Sequence, residues 1–86
     1  MAVAIGVKVR FFARLRELAG TESEALQIAP GSTVGDVYAT LRERHSSLPE
    51  PGGVRGALNA EFAEWSARVG AGDEVAFIPP VSGGLR

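Results

Sequence analysis

The sequence predicts an α+β domain in which one main helix lies across a sheet. Three observations support this prediction: apolar and polar residues alternate near the N-terminus, one amphipathic helical pattern spans residues 33–44, and the C-terminal third is rich in strand-forming residues. The chain has 86 residues, which suits one small domain with one modest core. Because the sequence also lacks an internal repeat, we expect a single domain.

The N-terminal stretch has the two-residue periodicity of a strand with one buried face. Its apolar side comprises Val3, Ile5, Val7, Val9 and Phe11. The opposite side is polar except at its end, where Phe12 is a candidate exposed aromatic residue. The alternative is that the strand ends at Phe11 and that Phe12 packs beneath the following helix.

A short helix and a second strand follow. Residues 13–19 have a helical pattern, which Gly20 closes as a natural C-terminal cap. Residues 24–28 alternate again, and Pro30-Gly31 ends them. The two strands therefore form a hairpin-like unit around the short helix.

The clearest helix begins at Thr33, because Asp36 three residues later completes a capping box. Its apolar positions have the spacing i, i+3, i+4 and i+7; they are Val34, Val37, Tyr38 and Leu41. His45 stands at the end of this helix and is predicted to be a solvated cap. Residues 46–53 are rich in proline and glycine, which predicts a loop.

The C-terminal third begins with a predicted pair of strands. Residues 54–59 and 61–65 form this pair, and Asn59-Ala60 makes a plausible tight turn between them. Phe62 lies in the second strand of the pair, and the alternation there does not decide which face it occupies.

The last predicted strand covers residues 74–78. Val75 and Phe77 point to one side of this strand, and Ile78 points to the other. Pro79-Pro80 then ends the strand, because proline cannot extend a central hydrogen-bonded ladder.

The composition excludes several classes of function. The chain has 9 Lys and Arg residues against 10 Asp and Glu residues, so it lacks the basic surface that nucleic-acid binding needs. It has no Cys, which excludes a disulfide scaffold, a zinc-thiolate site, a thiol nucleophile and a persulfide carrier. No stretch resembles a signal peptide or approaches the roughly 20 apolar residues of a membrane span, so we expect a cytoplasmic location without a membrane partner.

The C-terminal segment is the most informative feature. We expect residues 1–80 to form the domain and residues 81–86 to form a flexible tail. Gly83-Gly84 lack Cβ atoms, so this part of the tail can thread a narrow channel in a partner's active site. From Val81 to Gly84 the extended chain reaches about 13–14 Å. The alternative is a frayed terminus without a function.

Motifs at both ends of the chain resemble one family. Residues 9–21, VRFFARLRELAGT, resemble the opening of the MoaD family, the small sulfur-carrier subunits of molybdopterin synthase. Residues 72–84, GDEVAFIPPVSGG, resemble the closing signature of that family. Leu58-Asn59 and residues 30–34 also fit, so the similarity covers the whole domain. The resemblance implies a ubiquitin-like β-grasp fold, with a mixed sheet of about five strands, one main helix and one short helix.

The resemblance also implies a reaction at the C-terminus. The α-carboxylate of Gly84 would be adenylated by an activating enzyme that uses ATP and Mg²⁺, and sulfur would then displace AMP to leave a thiocarboxylate. The loaded tail would enter the large catalytic subunit of molybdopterin synthase and donate its sulfur to cyclic pyranopterin monophosphate (precursor Z). Gly83 would accompany Gly84 through both enzyme channels, and this chain would itself bind no cofactor or metal.

Partners of that family bind an apolar patch on the sheet. The matching positions in this chain are Phe12, Phe62 and Ile78, followed by Pro80 and Val81 at the start of the tail. Arg16 is a further candidate, for a salt bridge to a partner.

The sequence departs from the family after the second glycine. The family usually ends there, whereas Leu85 and Arg86 follow here, so Gly84 is held in a peptide bond and cannot be adenylated. We predict that a processing protease removes these two residues; a fusion remnant or an artefact would also explain them. The alternative functions are a β-grasp sulfur carrier for thiamine or another sulfur pathway, a ubiquitin-like protein modifier, and a plain interaction domain.

Overall fold

The computed structural model describes residues 3–79 of the chain. The elements follow the predicted order and are β1 (Ile5–Phe11), α1 (Arg14–Ala19), β2 (Ser23–Ile28), α2 (Val34–Arg44), a 3-10 turn (Pro51–Gly53), β3 (Arg55–Leu58), β4 (Glu61–Ala63) and β5 (Glu74–Ile78). The first strand starts at Ile5, two residues later than the alternation predicted. Within the described residues, no helix is long and apolar enough to cross a membrane.

The five strands form one mixed sheet in the order β2-β1-β5-β3-β4. β1 and β5 are parallel, with Val9 opposite Val75, and every other neighbouring pair is antiparallel. The last strand of the chain therefore lies in the middle of the sheet. As a result, β5 ends at Ile78 in the centre of the sheet rather than at an edge.

The core lies between α2 and one face of the sheet. All four predicted apolar positions of α2 are buried, and they pack against inward-facing residues of β1, β2 and β5. Tyr38 is the largest fully buried side chain, and its hydroxyl donates a hydrogen bond of 2.7 Å to the Pro49 carbonyl oxygen. Burial raises the pKa of the Tyr38 phenol, and the Arg42 guanidinium opposes that shift. The hydroxyl therefore stays protonated at neutral pH and keeps its hydrogen bond to Pro49.

The predicted helix ends are confirmed by the backbone geometry. Gly20 caps α1 in the left-handed conformation, with φ 79°. At the start of α2, the Thr33 hydroxyl accepts a bond of 3.1 Å from the Asp36 amide, and the Asp36 carboxylate accepts one of 2.9 Å from the Thr33 amide. These reciprocal bonds satisfy two amides that the first turn of a helix otherwise leaves free.

The turn between β3 and β4 is locked to the start of β5. Asn59 and Ala60 both have positive φ, at 52° and 75°. Positive φ at both central residues is the geometry of the type I′ turn that joins hairpin strands. The Asn59 side chain donates to Asp73 and accepts from the Glu74 amide, at 3.1 and 2.9 Å. Hydrogen bonds from the Gly70 amide and from Asn59 lower the pKa of Asp73. The hairpin and the central strand are therefore held in register from this end.

His45 is the C-terminal cap of α2, as predicted, but the prediction of a solvated side chain is wrong. Its Nε2 atom lies 2.7 Å from Glu24 Oε1, and its side chain is only 22% exposed. Arg44 donates to the other oxygen of the same carboxylate, also at 2.7 Å, and the His45 ring packs edge-on against Phe11. The prediction was wrong because the end of α2 lies beside β2, and pairing across 21 residues leaves no local pattern in the sequence.

Gly56 allows α2 to approach the sheet closely. A Cβ atom added at Gly56 would lie 2.7 Å from Val34 Cγ1, which is inside normal contact distance. We therefore expect Gly56→Ala to lower the free energy of unfolding by about 1–3 kcal/mol, as overpacked cores do. Urea unfolding followed by circular dichroism measures this change.

Gly52→Ala is the matched control for Gly56→Ala, because a Cβ atom there meets nothing within 4 Å. If the clash is the cause, adding Val34→Ala to Gly56→Ala should destabilise the chain by less than the sum of the two single changes. Equal stability of Gly56→Ala and the unchanged chain would contradict the close packing of α2 against Gly56.

Candidate partner-binding site on the sheet

The sheet face opposite α2 carries an exposed apolar cluster. Phe12 and Phe62 are 38% and 64% exposed, although large apolar side chains are usually buried, and Ile78 is half-buried. All three line a shallow groove of about 290 Å³. We call it the sheet-face groove; its remaining lining residues are Arg10, Ala57, Ala60, Glu74 and Ala76.

Strand register explains why these residues meet. Arg10, Ala76, Ala57 and Phe62 lie opposite one another in a row that crosses β1, β5, β3 and β4. The two alanines in the middle of this row are small, so the larger side chains around them stand higher and leave a groove. Ile78 lies two residues beyond Ala76 on the same face of β5, opposite Arg55.

The orientation of Phe62, which the sequence left undecided, is away from the core. Phe62 lies opposite Ala57, and this pairing follows from the two-residue turn between β3 and β4. Because Val54 and Gly56 are buried beneath α2, Ala57 must point to the opposite face, and Phe62 with it. The turn and the buried valine together were therefore a usable signal for this residue.

The orientation of Phe12 combines both sequence interpretations. The strand does end at Phe11, as the alternative held, and the Phe12 amide donates a bond of 3.2 Å to the Phe77 carbonyl oxygen. The Phe12 ring nevertheless remains on the exposed face instead of packing beneath α1. Ala13, with φ 53°, turns the chain away immediately afterwards.

Two arginines that sequence reasoning missed lie over the two exposed rings. The guanidinium carbon of Arg10 is 5.1 Å from the centre of the Phe12 ring, and that of Arg55 is 4.2 Å from the centre of the Phe62 ring. Such contacts contribute about 0.5–1 kcal/mol each at exposed sites and hold the rings in place. The two-residue spacing between Arg10 and Phe12 was the available signal. Arg10 also pairs with Glu74 at 3.6 Å, so its charge is partly balanced.

The other predicted site residues lie apart from the groove or outside the described residues. Arg16 is exposed on α1, with its Nη1 atom 3.6 Å from Glu22 Oε1, and it does not line the groove. Residues 80–86 lie outside the described part of the chain; they include the predicted site residues Pro80, Val81, Gly83 and Gly84, and also Leu85 and Arg86. The last described residue is Pro79, which directly follows Ile78 in the groove.

The groove has the chemistry of a protein-binding surface. It offers aromatic and aliphatic area with Arg10 and Glu74 beside it, and aromatic and arginine side chains are enriched at protein interfaces. Within residues 3–79, no three His, Asp or Glu side chains are grouped closely enough to hold a metal ion. The shifted pKa values found in this part of the chain belong to Tyr38 and Asp73, and neither residue lines the groove.

Comparisons with known proteins agree with this fold. The chain is 42% identical to the molybdopterin synthase sulfur carrier subunit of Arabidopsis thaliana, over 94% of this chain and 85% of that protein. It is similar to the crystal structure of the small archaeal modifier protein SAMP1 from Haloferax volcanii, with 31% identity, a TM-score of 0.82 and coverage of 92% and 99% of the two chains.

A third similarity is to a structure that contains a partner. This is the complex of subunits 1 and 2 of molybdopterin-converting factor from Helicobacter pylori, with 25% identity, a TM-score of 0.65 and coverage of 93% and 100% of the two chains. The predicted ubiquitin-like β-grasp fold and the predicted family resemblance are both confirmed. Since residues 9–84 match the ThiS family, which spans the first strand to the second glycine of the tail, this chain belongs to the ThiS family.

Proposed function

We propose that this chain is the sulfur carrier subunit of a molybdopterin synthase. The observation that carries the proposal is its 42% identity to such a subunit over nearly the whole chain, the Gly83-Gly84 tail included within the matched family. The chain contributes no cysteine, so sulfur is carried on the main chain rather than on a side chain.

The sheet-face groove is the proposed contact with the large catalytic subunit. Phe12, Phe62 and Ile78 supply its apolar area, and the tail begins at Val81, three residues after Ile78. Docking of the groove therefore places the start of the tail at the partner's surface. From there, Pro80 and Val81 would lead the two glycines into the partner's active site.

The chemistry takes place at the carboxylate of Gly84. A free carboxylate is a poor acyl donor, so an adenylating enzyme first joins it to AMP with ATP and Mg²⁺ and releases pyrophosphate. A sulfur nucleophile then attacks the acyl carbon and displaces AMP, which leaves the thiocarboxylate. Gly84 needs to be glycine because a side chain would obstruct the narrow channels through which the tail passes.

The residues that follow Gly84 block that reaction. While Leu85 and Arg86 remain attached, the carbonyl carbon of Gly84 belongs to an amide and has no free carboxylate to adenylate. A processing protease that cleaves after Gly84 is therefore part of the proposal.

The experiment that tests the proposed function is reconstitution with the large subunit. Thiocarboxylated protein that ends at Gly84 should co-purify with a molybdopterin synthase large subunit and convert cyclic pyranopterin monophosphate into molybdopterin, detected as its fluorescent oxidation product. The same mixture with unloaded carrier is the control. Binding without product formation, or no binding at all, would contradict this function.

A protein modifier is the second candidate, and the similarity to SAMP1 favours it. A modifier joins its C-terminal carboxylate to lysines of other proteins, whereas a sulfur carrier gives up sulfur and returns free. Blotting of native-host lysate under denaturing conditions distinguishes the two. A ladder of adducts that disappears in a Gly84 deletion identifies a modifier, and a single free band identifies a carrier.

A further inference from the structure

A crevice on the helix side of the molecule lies outside the proposed partner-binding site. It has a volume of about 370 Å³, which is within the range of small-molecule pockets. Its walls come from one side of α2, from the 3-10 turn and from the residue that follows β4 by two positions. We call it the helix-side crevice; its lining residues are Gly35, Tyr38, Ala39, Arg42, Pro51, Gly52 and Trp65.

The crevice has aromatic walls that are fixed by the core. The Trp65 and Tyr38 rings lie 5.6 Å apart, and both pack against Phe77, at 6.1 and 4.9 Å between ring centres. Trp65 is only partly buried, so part of its indole surface faces the crevice. A flat ring can pack there against Trp65 and Pro51 without disturbing the core.

Arg42 supplies the only charge among the lining residues. The buried Nε atom of Arg42 has no hydrogen-bond partner within the described part of the chain, and no ion pair involving Arg42 is found there. The Tyr38 hydroxyl is already occupied by Pro49. Because the Nε atom is buried, an occupant of the crevice would meet the terminal Nη groups of the guanidinium, which are strong donors to an oxygen acceptor.

We propose that the helix-side crevice binds a small aromatic carboxylic acid. The ring of this ligand packs against Trp65 and Pro51, and its carboxylate pairs with the guanidinium of Arg42. One arginine matches the single charge and planar shape of a carboxylate, since the two groups can form parallel hydrogen bonds. A phosphate dianion would require further cations, which the lining does not contain.

The site is independent of the proposed function. The crevice opens beside α2, whereas Phe12 and Phe62 lie on the opposite face of the sheet. A bound acid therefore leaves the sheet-face groove and the start of the tail accessible. Failure of either proposal leaves the other standing, because the two share no lining residue.

The test uses benzoate as the probe and benzamide as its neutral match. Trp65 is the only tryptophan of the chain, so its fluorescence reports without a label on a ligand that packs against it, and the variants below assign that ligand to the crevice. We expect a saturable change with benzoate at a Kd of about 1 mM, as suits a fragment of this size. Benzamide should bind at least about tenfold more weakly, because it lacks the charge that Arg42 recognises.

Variants separate recognition by Arg42 from general surface binding. Arg42→Met should weaken benzoate at least about tenfold, and Arg42→Lys should weaken it less, because lysine keeps the charge and loses the planar fork. Ala39→Glu should weaken benzoate as much as Arg42→Met does. It places a carboxylate one turn before Arg42 on the exposed surface of α2, where this carboxylate competes with benzoate for the guanidinium. Arg14→Met is the matched control, since Arg14 is exposed on α1, and it should bind benzoate normally.

Three results would overturn the proposal. The first is equal binding of benzoate and benzamide. The second is an unchanged benzoate affinity in both Arg42→Met and Ala39→Glu. The third is the absence of any saturable change in Trp65 fluorescence at benzoate concentrations well above the expected Kd. Amide chemical shifts locate the probe independently of Trp65. Shifts centred on Phe62 rather than on α2 and the 3-10 turn would also contradict the assignment.

Discussion

A chain that ends at Gly84 is expected to accept sulfur, whereas the chain that continues through Leu85 and Arg86 is expected to accept none. The difference is all-or-none, because an amide carbonyl has no carboxylate oxygen to attack the α-phosphate of ATP. The measurement is intact-protein mass spectrometry after incubation with an adenylating enzyme, Mg-ATP and a sulfur donor. Exchange of one oxygen for one sulfur identifies the thiocarboxylate.

Two further chains control this experiment. A chain that ends at Gly84 but carries Gly84→Ala tests whether the activating enzyme's channel excludes a side chain, and we expect it to be loaded poorly. A chain that ends at Gly83 keeps a free glycine carboxylate but is one residue shorter, so it tests reach. Loading of the full chain without removal of Leu85 and Arg86 would contradict the processing step.

Phe62→Ala is expected to weaken binding to the large catalytic subunit by about 30-fold or more. An exposed aromatic residue that lines an apolar groove is a typical interface hot spot, and loss of about 2 kcal/mol corresponds to that factor. The side chain is 64% exposed in the free chain, so its removal should change the free energy of unfolding by less than about 1 kcal/mol. Titration calorimetry with the purified large subunit measures the affinity.

Val3→Ala is the matched control for Phe62→Ala. Val3 is 70% exposed but does not line the sheet-face groove, so its truncation should leave the affinity within about twofold. Arg55→Met should have an intermediate effect, because it removes the cation over the Phe62 ring and leaves the ring itself. Equal affinity of Phe62→Ala and Val3→Ala would exclude the groove as the interface.

Most of the fold could be predicted from local patterns. Alternation in β1, the capping box at Thr33 and the spacing of apolar residues along α2 each depend on neighbours in the sequence, so each was visible there. The position of β5 between β1 and β3 depends on pairing across the whole chain. No local pattern encodes that pairing; the family resemblance implied a mixed sheet of about five strands, and the strand order came from the structure.

The candidate site divides in the same way. Phe12 and Ile78 were predicted to face away from the core from the alternation of their own strands, and this orientation is confirmed. Arg55 was missed because its relation to Phe62 crosses from β3 to β4, and His45 was misjudged because its partner Glu24 lies in β2. The roles of the tail residues came from the Gly83-Gly84 motif, and they remain predictions.

The position of β5 has a mechanical consequence for the proposed function. A pull on the residues after Pro79 is transmitted to a strand that is hydrogen-bonded to β1 on one side and to β3 on the other. Both ladders must shear together before the strand can be extracted, whereas an edge strand would be held by one ladder alone. In the proposed function, we expect this arrangement to keep the domain folded when its tail is pulled.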